Sequence, residues 1–135
     1  MDVSQENKIE KNSDLKEIIR NKPYFDDACM VHIALKMIAD KWVLLILLSL
    51  IPGKRRTSEL QKNIHGISPK MLSQSLKKLM DYDMVKRKIY PQVPPKVEYS
   101  LTEFGESTIP VLSKLFYWSA EWQDKIVTTW NKKRG

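Results

Sequence analysis

The segment GISPKMLSQSLKKL, starting at Gly66, gathers residue types suited to reading a polyanion. On a helix advancing about 100° per residue, Lys70, Ser73, Gln74 and Lys77 share one side, and Leu72, Leu76 and Leu79 lie opposite. The leucines suit a core, and the polar row suits solvent or a ligand. Lysine donates to guanine O6 and N7, and glutamine bonds the adenine edge twice, so Lys70 and Gln74 lead as base readers, with Ser73 and Lys77 beside them. Ser68 and the free N–H groups of the helix start suit a phosphate, as do Arg55, Arg56 and Lys78. Downstream, Lys86, Arg87, Lys88 and Lys96 sit in two Val-, Ile- and Tyr-containing segments, from which a hairpin would carry them to a DNA backbone or a neighbouring minor groove. Lys86 and Lys88 alternate with Arg87, so one set should face outward and the other lie over the core. The plain alternative for each of these cations is a solvated surface charge.

The distribution of charge favours the polyanion. The 135 residues include 23 Lys and Arg against 16 Asp and Glu, a net charge of +7. Between Lys54 and Lys96, eleven basic residues face Glu59, Asp81 and Asp83, so this segment carries +8 and the rest of the chain nets −1. All the excess charge thus sits where the candidate readers are, as an electrostatic footprint on phosphates requires. The only cysteine, Cys29, excludes an intramolecular disulfide, and no segment joins a basic start to an apolar signal core. The most apolar run, Trp42 to Ile51, has 10 residues where a membrane-spanning helix needs about 20. A cytoplasmic protein with no membrane partner is expected. His32 and His65 have no Cys or His companion at ligand spacing, and the chain shows no phosphate loop, nucleophile elbow or carboxylate pair. No metal, no cofactor and no enzymatic activity are expected.

A frame must hold these residues. Residues 1–13 read as a flexible polar tail, 14–130 as one domain and 131–135 as a polar tail. Ser13 is placed to cap a short helix that shows Leu15, Ile18 and Ile19 on one side and ends before Pro23. Met30 to Ala39 is helical by the spacing of Val31, Ala34, Leu35 and Ile38, and Trp42 to Ile51 follows as a helix buried nearly all round, stopped by Pro52 and Gly53. Ser58 and Gln61 fit a capping box that opens a helix with Leu60 and Ile64 inward; Gly66 closes it, and Ser68 and Pro69 start the next. VKRKIYP and KVEYSL then read as strands joined through Gln92 to Pro95. Thr102 caps a last long helix, kinked at Pro110, whose Ile109, Leu112, Leu115, Phe116, Trp118, Trp122 and Ile126 form an apolar face that calls for a partner. The fold class is mainly α with a small β-hairpin: a winged helix-turn-helix.

Four stretches carry a family resemblance across most of the chain, from Cys29 to Trp122: IADKW with the leucine run after it, ELQKNIHGISPKMLSQSLKKL, YPQVPPKVEYSLTEFG and PVLSKLFYW. Together they resemble the HxlR-type winged helix-turn-helix regulators, relatives of the MarR group. The resemblance implies a homodimeric transcription factor that dimerises through its N- and C-terminal helices, Leu15, Ile18 and Ile19 included. It also implies an inverted-repeat operator and, at Cys29, a thiol placed to sense a small electrophile or oxidant. The sequence departs from the family pattern at Ala39 and Asp40, where a glycine pair is usual, and at Thr57, His65 and Lys96, the last replacing a frequent wing arginine. A double-stranded-DNA-binding regulator is the reading adopted; the alternative is a winged-helix module that binds protein or RNA without operator specificity.

Overall fold

The computed structural model describes residues 12–21, Asp26 and residues 29–134. The chain forms two compact units, Met1–Met37 and Ile38–Gly135. In the first lies helix α1 (Asn12–Asn21), with Leu15, Ile18 and Ile19 all exposed. Ser13 falls inside this helix and does not precede it, and Pro23 lies outside the described residues. Helix α2 (Met30–Ile38) begins at the buried Cys29, whose carbonyl accepts the Ile33 N–H at 3.0 Å. It buries none of its residues, and Val31, Ile33 and Leu35 are exposed.

The second unit is built on α3 (Lys41–Leu50), which sends Val43, Ile46, Leu47 and Leu50 into the core. Full burial of one such side chain contributes about 1.5–3 kcal/mol. Asp40 starts this helix: its Oδ1 accepts the Trp42 and Val43 N–H groups at 2.8 and 3.1 Å. A cap of this kind contributes about 0.5–2 kcal/mol, so the departure from glycine at this position supplies a helix start.

Helix α4 (Thr57–Asn63) opens earlier than the sequence suggests. Arg56 is its N-cap and donates its N–H to Glu59 Oε1 at 3.1 Å. Ser58 therefore lies within the first turn. Gln61 instead donates its side-chain amide across the following turn to the Ile67 carbonyl. Gly66 in that turn has φ +87°, a conformation that L side chains rarely adopt. Helix α5 (Pro69–Asp81) starts as expected: Ser68 Oγ accepts the Met71 N–H at 3.0 Å and Pro69 occupies the first turn.

The end of α5 is a Schellman arrangement. Asp83, at φ +60°, donates its N–H to the Met80 carbonyl, and Met84 donates to that of Leu79. Strands β1 (Val85–Tyr90) and β2 (Lys96–Leu101) pair antiparallel, with Val85 opposite Leu101, Arg87 opposite Tyr99 and Lys88 opposite Glu98. Arg55 adds a single bridge to β2, exchanging backbone hydrogen bonds with Tyr99 at 2.9 and 2.8 Å.

Thr102 caps a short helix, α6 (Glu103–Glu106), and not a long one: its Oγ1 accepts the Gly105 N–H at 3.0 Å and donates to the Asp83 carbonyl at 2.6 Å. Pro110 stands in the first turn of α7 (Ile109–Glu121), where its missing N–H forfeits no intrahelical hydrogen bond and the helix is not interrupted. The chain breaks again at Trp122, and α8 (Gln123–Arg134) takes in residues 131–134, which read as tail in the sequence. Among the described residues no helix is long and apolar enough to cross a membrane.

Candidate nucleic-acid interface

Helix α5 is fixed by one face so that the other can be used. Leu72, Leu76 and Leu79 are 1 % exposed or less, and Ser75 is buried beside them. Lys70, Ser73, Gln74 and Lys77 are all exposed, and Lys78 at the edge of the row is half-buried. The buried leucines set the helix's rotation, so the polar row projects outward without any further device. Ser68 is also exposed, but its hydroxyl already accepts the Met71 N–H. It therefore serves the helix start directly.

Arg55 and Arg56 differ despite adjacency. Arg55 is half-buried and its backbone is tied to Tyr99, whereas Arg56 is exposed at the start of α4. Both lie on the segment that connects α3 to the helix-turn-helix.

The hairpin sorts its cations by register. Val85, Tyr99 and Leu101 are buried and mark one face as the core side; Arg87, opposite Tyr99, belongs to that face but lies beyond the core and is exposed. Lys86, Lys88 and Tyr90 share the outer face with Ser100, Glu98 and Lys96. Of the two sets expected, then, the lysine pair faces outward, and Arg87 stays in solvent because the hairpin runs past the core that would have covered it.

Lys96 is not a free reaching group. Its Nζ lies 2.9 Å from Glu98 Oε1 and 4.9 Å from the centroid of the Tyr90 ring, which also has Lys88 Nζ at 4.9 Å. Glu98 Oε2 faces Lys54 Nζ at 3.4 Å. The hydrogen bond from Lys96, reinforced by Lys54, holds the Glu98 carboxyl below its usual titration range, against the opposing effect of burial. Sequence reasoning counted Lys54 only as charge and passed over Glu98 and Tyr90. The signal was the Lys96-x-Glu98 spacing, since residues two apart on a strand share a face.

A second surface is apolar. Leu115, Phe116, Tyr117 and Trp118 on α7, Trp122, and Val127 and Trp130 on α8 are exposed, and Ile109 and Ile126 are half-buried. Leu112 departs from the sequence expectation: at 1 % exposure it belongs to the core of its own unit. Leu48, Ile51, Pro52, Phe116 and Tyr117 border a groove of about 290 Å³ on this side.

Comparison with known proteins agrees with this architecture. The chain is 44% identical over 98 residues to the uncharacterized HTH-type transcriptional regulator YkvN of Bacillus subtilis, covering 73% of this chain and 83% of YkvN. Among solved structures it is similar to the redox regulator HypR in its oxidized form, with TM-score 0.67 and 38% identity over 69% of this chain and 96% of that one. It is also similar to the reduced form of the transcriptional regulator YodB from B. subtilis, with TM-score 0.61 and 33% identity over 70% of this chain and 93% of that one. The profile of the HxlR-like helix-turn-helix family matches residues 37–127, which hold α5, the hairpin and α7. With its helix-turn-helix and wing in that order and relatives named as transcriptional regulators, the chain belongs to the HxlR-like helix-turn-helix family and is a transcriptional regulator with a DNA-binding fold.

Proposed function

We propose that this protein is a homodimer that binds double-stranded DNA sequence-specifically, placing one α5 helix in the major groove of each half of an inverted repeat. The single observation that carries the reading is the outward row Lys70, Ser73, Gln74 and Lys77 on a helix whose opposite face is locked into the core. An α-helix fits the major groove and reads chiefly with its N-terminal residues, here Lys70, Ser73 and Gln74, while Lys77 further along reaches bases or backbone. Arg55, Arg56 and Lys78 flank the row and serve the phosphates, with the hairpin cations Lys86, Arg87 and Lys88 alongside, whereas Ser68 and Lys96 act indirectly, through the helix start and through Glu98. Two-fold pairing through the exposed apolar faces of α7 and α8, together with α1, would space the half-sites by about 34–36 Å.

Lys70→Ala and Gln74→Ala are each expected to weaken specific binding by about 1–3 kcal/mol and to relax preference at one base pair. The measurement is competition binding against operator variants selected from genomic fragments. An operator preference unchanged in both variants removes the base-reading assignment. An interaction module or an RNA binder would show neither steep salt dependence on duplex DNA nor a preferred promoter fragment.

The reading includes regulation through Cys29. Its support is similarity to a protein described as a redox regulator, HypR, and the placing of this thiol at the start of α2. Cys29 is buried, so an oxidant or electrophile reaches it only when that segment opens, and a resulting disulfide must join two chains or capture a small thiol. Diamide or quinone treatment is expected to release DNA from the wild-type protein but not from Cys29→Ser. Equal release from both would show that the thiol is not the sensor.

A further inference from the structure

Glu98 is an anion set among the cations of the wing. Its side chain is 7% exposed, with Lys96 and Lys54 on its two oxygens at 2.9 and 3.4 Å. Across the hairpin it faces Lys88, and Lys86 lies on the same outer face two residues along. Lys54, Lys86 and Lys88 border a depression of about 300 Å³ that also takes in Glu98. No other carboxylate lies on this face of the hairpin.

The two ion pairs are unequal. Lys96 is half-buried, hydrogen-bonded to Oε1 and stacked on Tyr90. Lys54 is 68% exposed, and Oε2 is buried yet accepts no hydrogen bond from any described residue. Lys54 is thus the longer and weaker of the two partners, on a side chain that is already largely in water. Moving Lys54 from Glu98 to a phosphate costs the ammonium little desolvation, and Lys96 stays on the carboxylate so that its buried charge keeps a partner.

We propose that Glu98 is an internal counter-anion of the wing, competing with DNA phosphates for Lys54 and so lowering backbone affinity uniformly across sequences. In free protein it offsets the mutual repulsion of Lys54, Lys86, Lys88 and Lys96. Beside a phosphate the same charge is repulsive. The residue therefore sets how much protein is held on non-specific DNA and leaves base choice to α5. The inference rests on the reading of the hairpin as facing DNA.

The test measures binding of the full chain to a mixed-sequence duplex and to a promoter duplex between 50 and 200 mM salt. Glu98→Gln is expected to bind both duplexes more tightly at low salt, by the same factor. Its slope of log K against log salt steepens by up to about 0.9, so the advantage shrinks by roughly three- to fourfold across that range. Glu98→Asp, which retains the charge, is expected to restore much of the wild-type slope, and Lys88→Ala to make the slope shallower. If Lys88→Ala responds and Glu98→Gln binds equally or more weakly, the counter-anion role is overturned while the DNA-facing hairpin stands. If neither variant moves the slope, the hairpin does not face DNA, and the inference falls with that reading. A measurement on wild-type protein avoids any folding defect: the NMR-detected contact between the Lys54 ammonium and the Glu98 carboxylate is expected to weaken on adding duplex. Its persistence at saturation would overturn the proposal.

Discussion

At the scale of single residues, position in the fold decides what a charge does. Lys70 and Lys96 are chemically identical, yet Lys70 stands exposed on a helix face while Lys96 is bonded to Glu98 and lies over the Tyr90 ring. The Glu98 carboxyl has its folded-state titration lowered, first by the Lys96 hydrogen bond. A group lowered in this way stabilises the folded state above its unfolded pKa, and that stability is lost as pH falls through the folded value. Acid melting is therefore expected to show a stability loss below the usual carboxylate range that Glu98→Gln removes. An identical acid limb in the variant would mean that the ion pairs contribute nothing to folding. Asp40 shows the same dependence on place: a single oxygen serves two N–H groups because it stands where α3 must begin.

At the scale of elements, two glycines make contrasting demands. A Cβ on Gly66 would meet only a Trp42 ring carbon at 3.9 Å, so its requirement is the positive φ of the helix-turn-helix turn. A Cβ on Gly105 would lie 2.0 Å from the Met84 carbonyl oxygen, against backbone that cannot step aside. Gly105 lets α6 sit directly on the junction between α5 and β1, where Thr102 also bonds the Asp83 carbonyl. Gly105→Ala is expected to destabilise by about 1–3 kcal/mol through forced displacement, and Gly66→Ala by about 1 kcal/mol through backbone strain. Chemical denaturation measures both; a neutral Gly105→Ala would mean that α6 moves away from β1 freely. The last helix of the sequence reading divides into α6, α7 and α8, because Thr102 caps at one point, Pro110 starts a helix at another and the chain turns at Trp122.

At the scale of the whole molecule, the aromatic surface of α7 and α8 is the feature that a lone chain leaves unexplained. Phe116, Trp118, Trp122 and Trp130 are each more than half exposed, a density of large apolar groups on two successive helices that monomeric proteins rarely leave in water. Phe116→Glu with Trp118→Glu is expected to shift sedimentation from dimer to monomer and to weaken operator binding, while the winged unit keeps its melting transition. A wild-type chain that sediments as a monomer at micromolar concentration would refute the homodimer. Much of this architecture was legible in the sequence. The leucine period, Ser68 with Pro69, and the turn at Gly66 specified the helix-turn-helix, since each acts through neighbours within a turn or two of chain. The tertiary structure alone decided that Leu112 goes inward and that Arg55 is tied to β2. It also decided that Glu98 gathers Lys54 and Lys96, because whether a side chain is covered, or which charge it meets, depends on segments distant in the chain that only packing brings together.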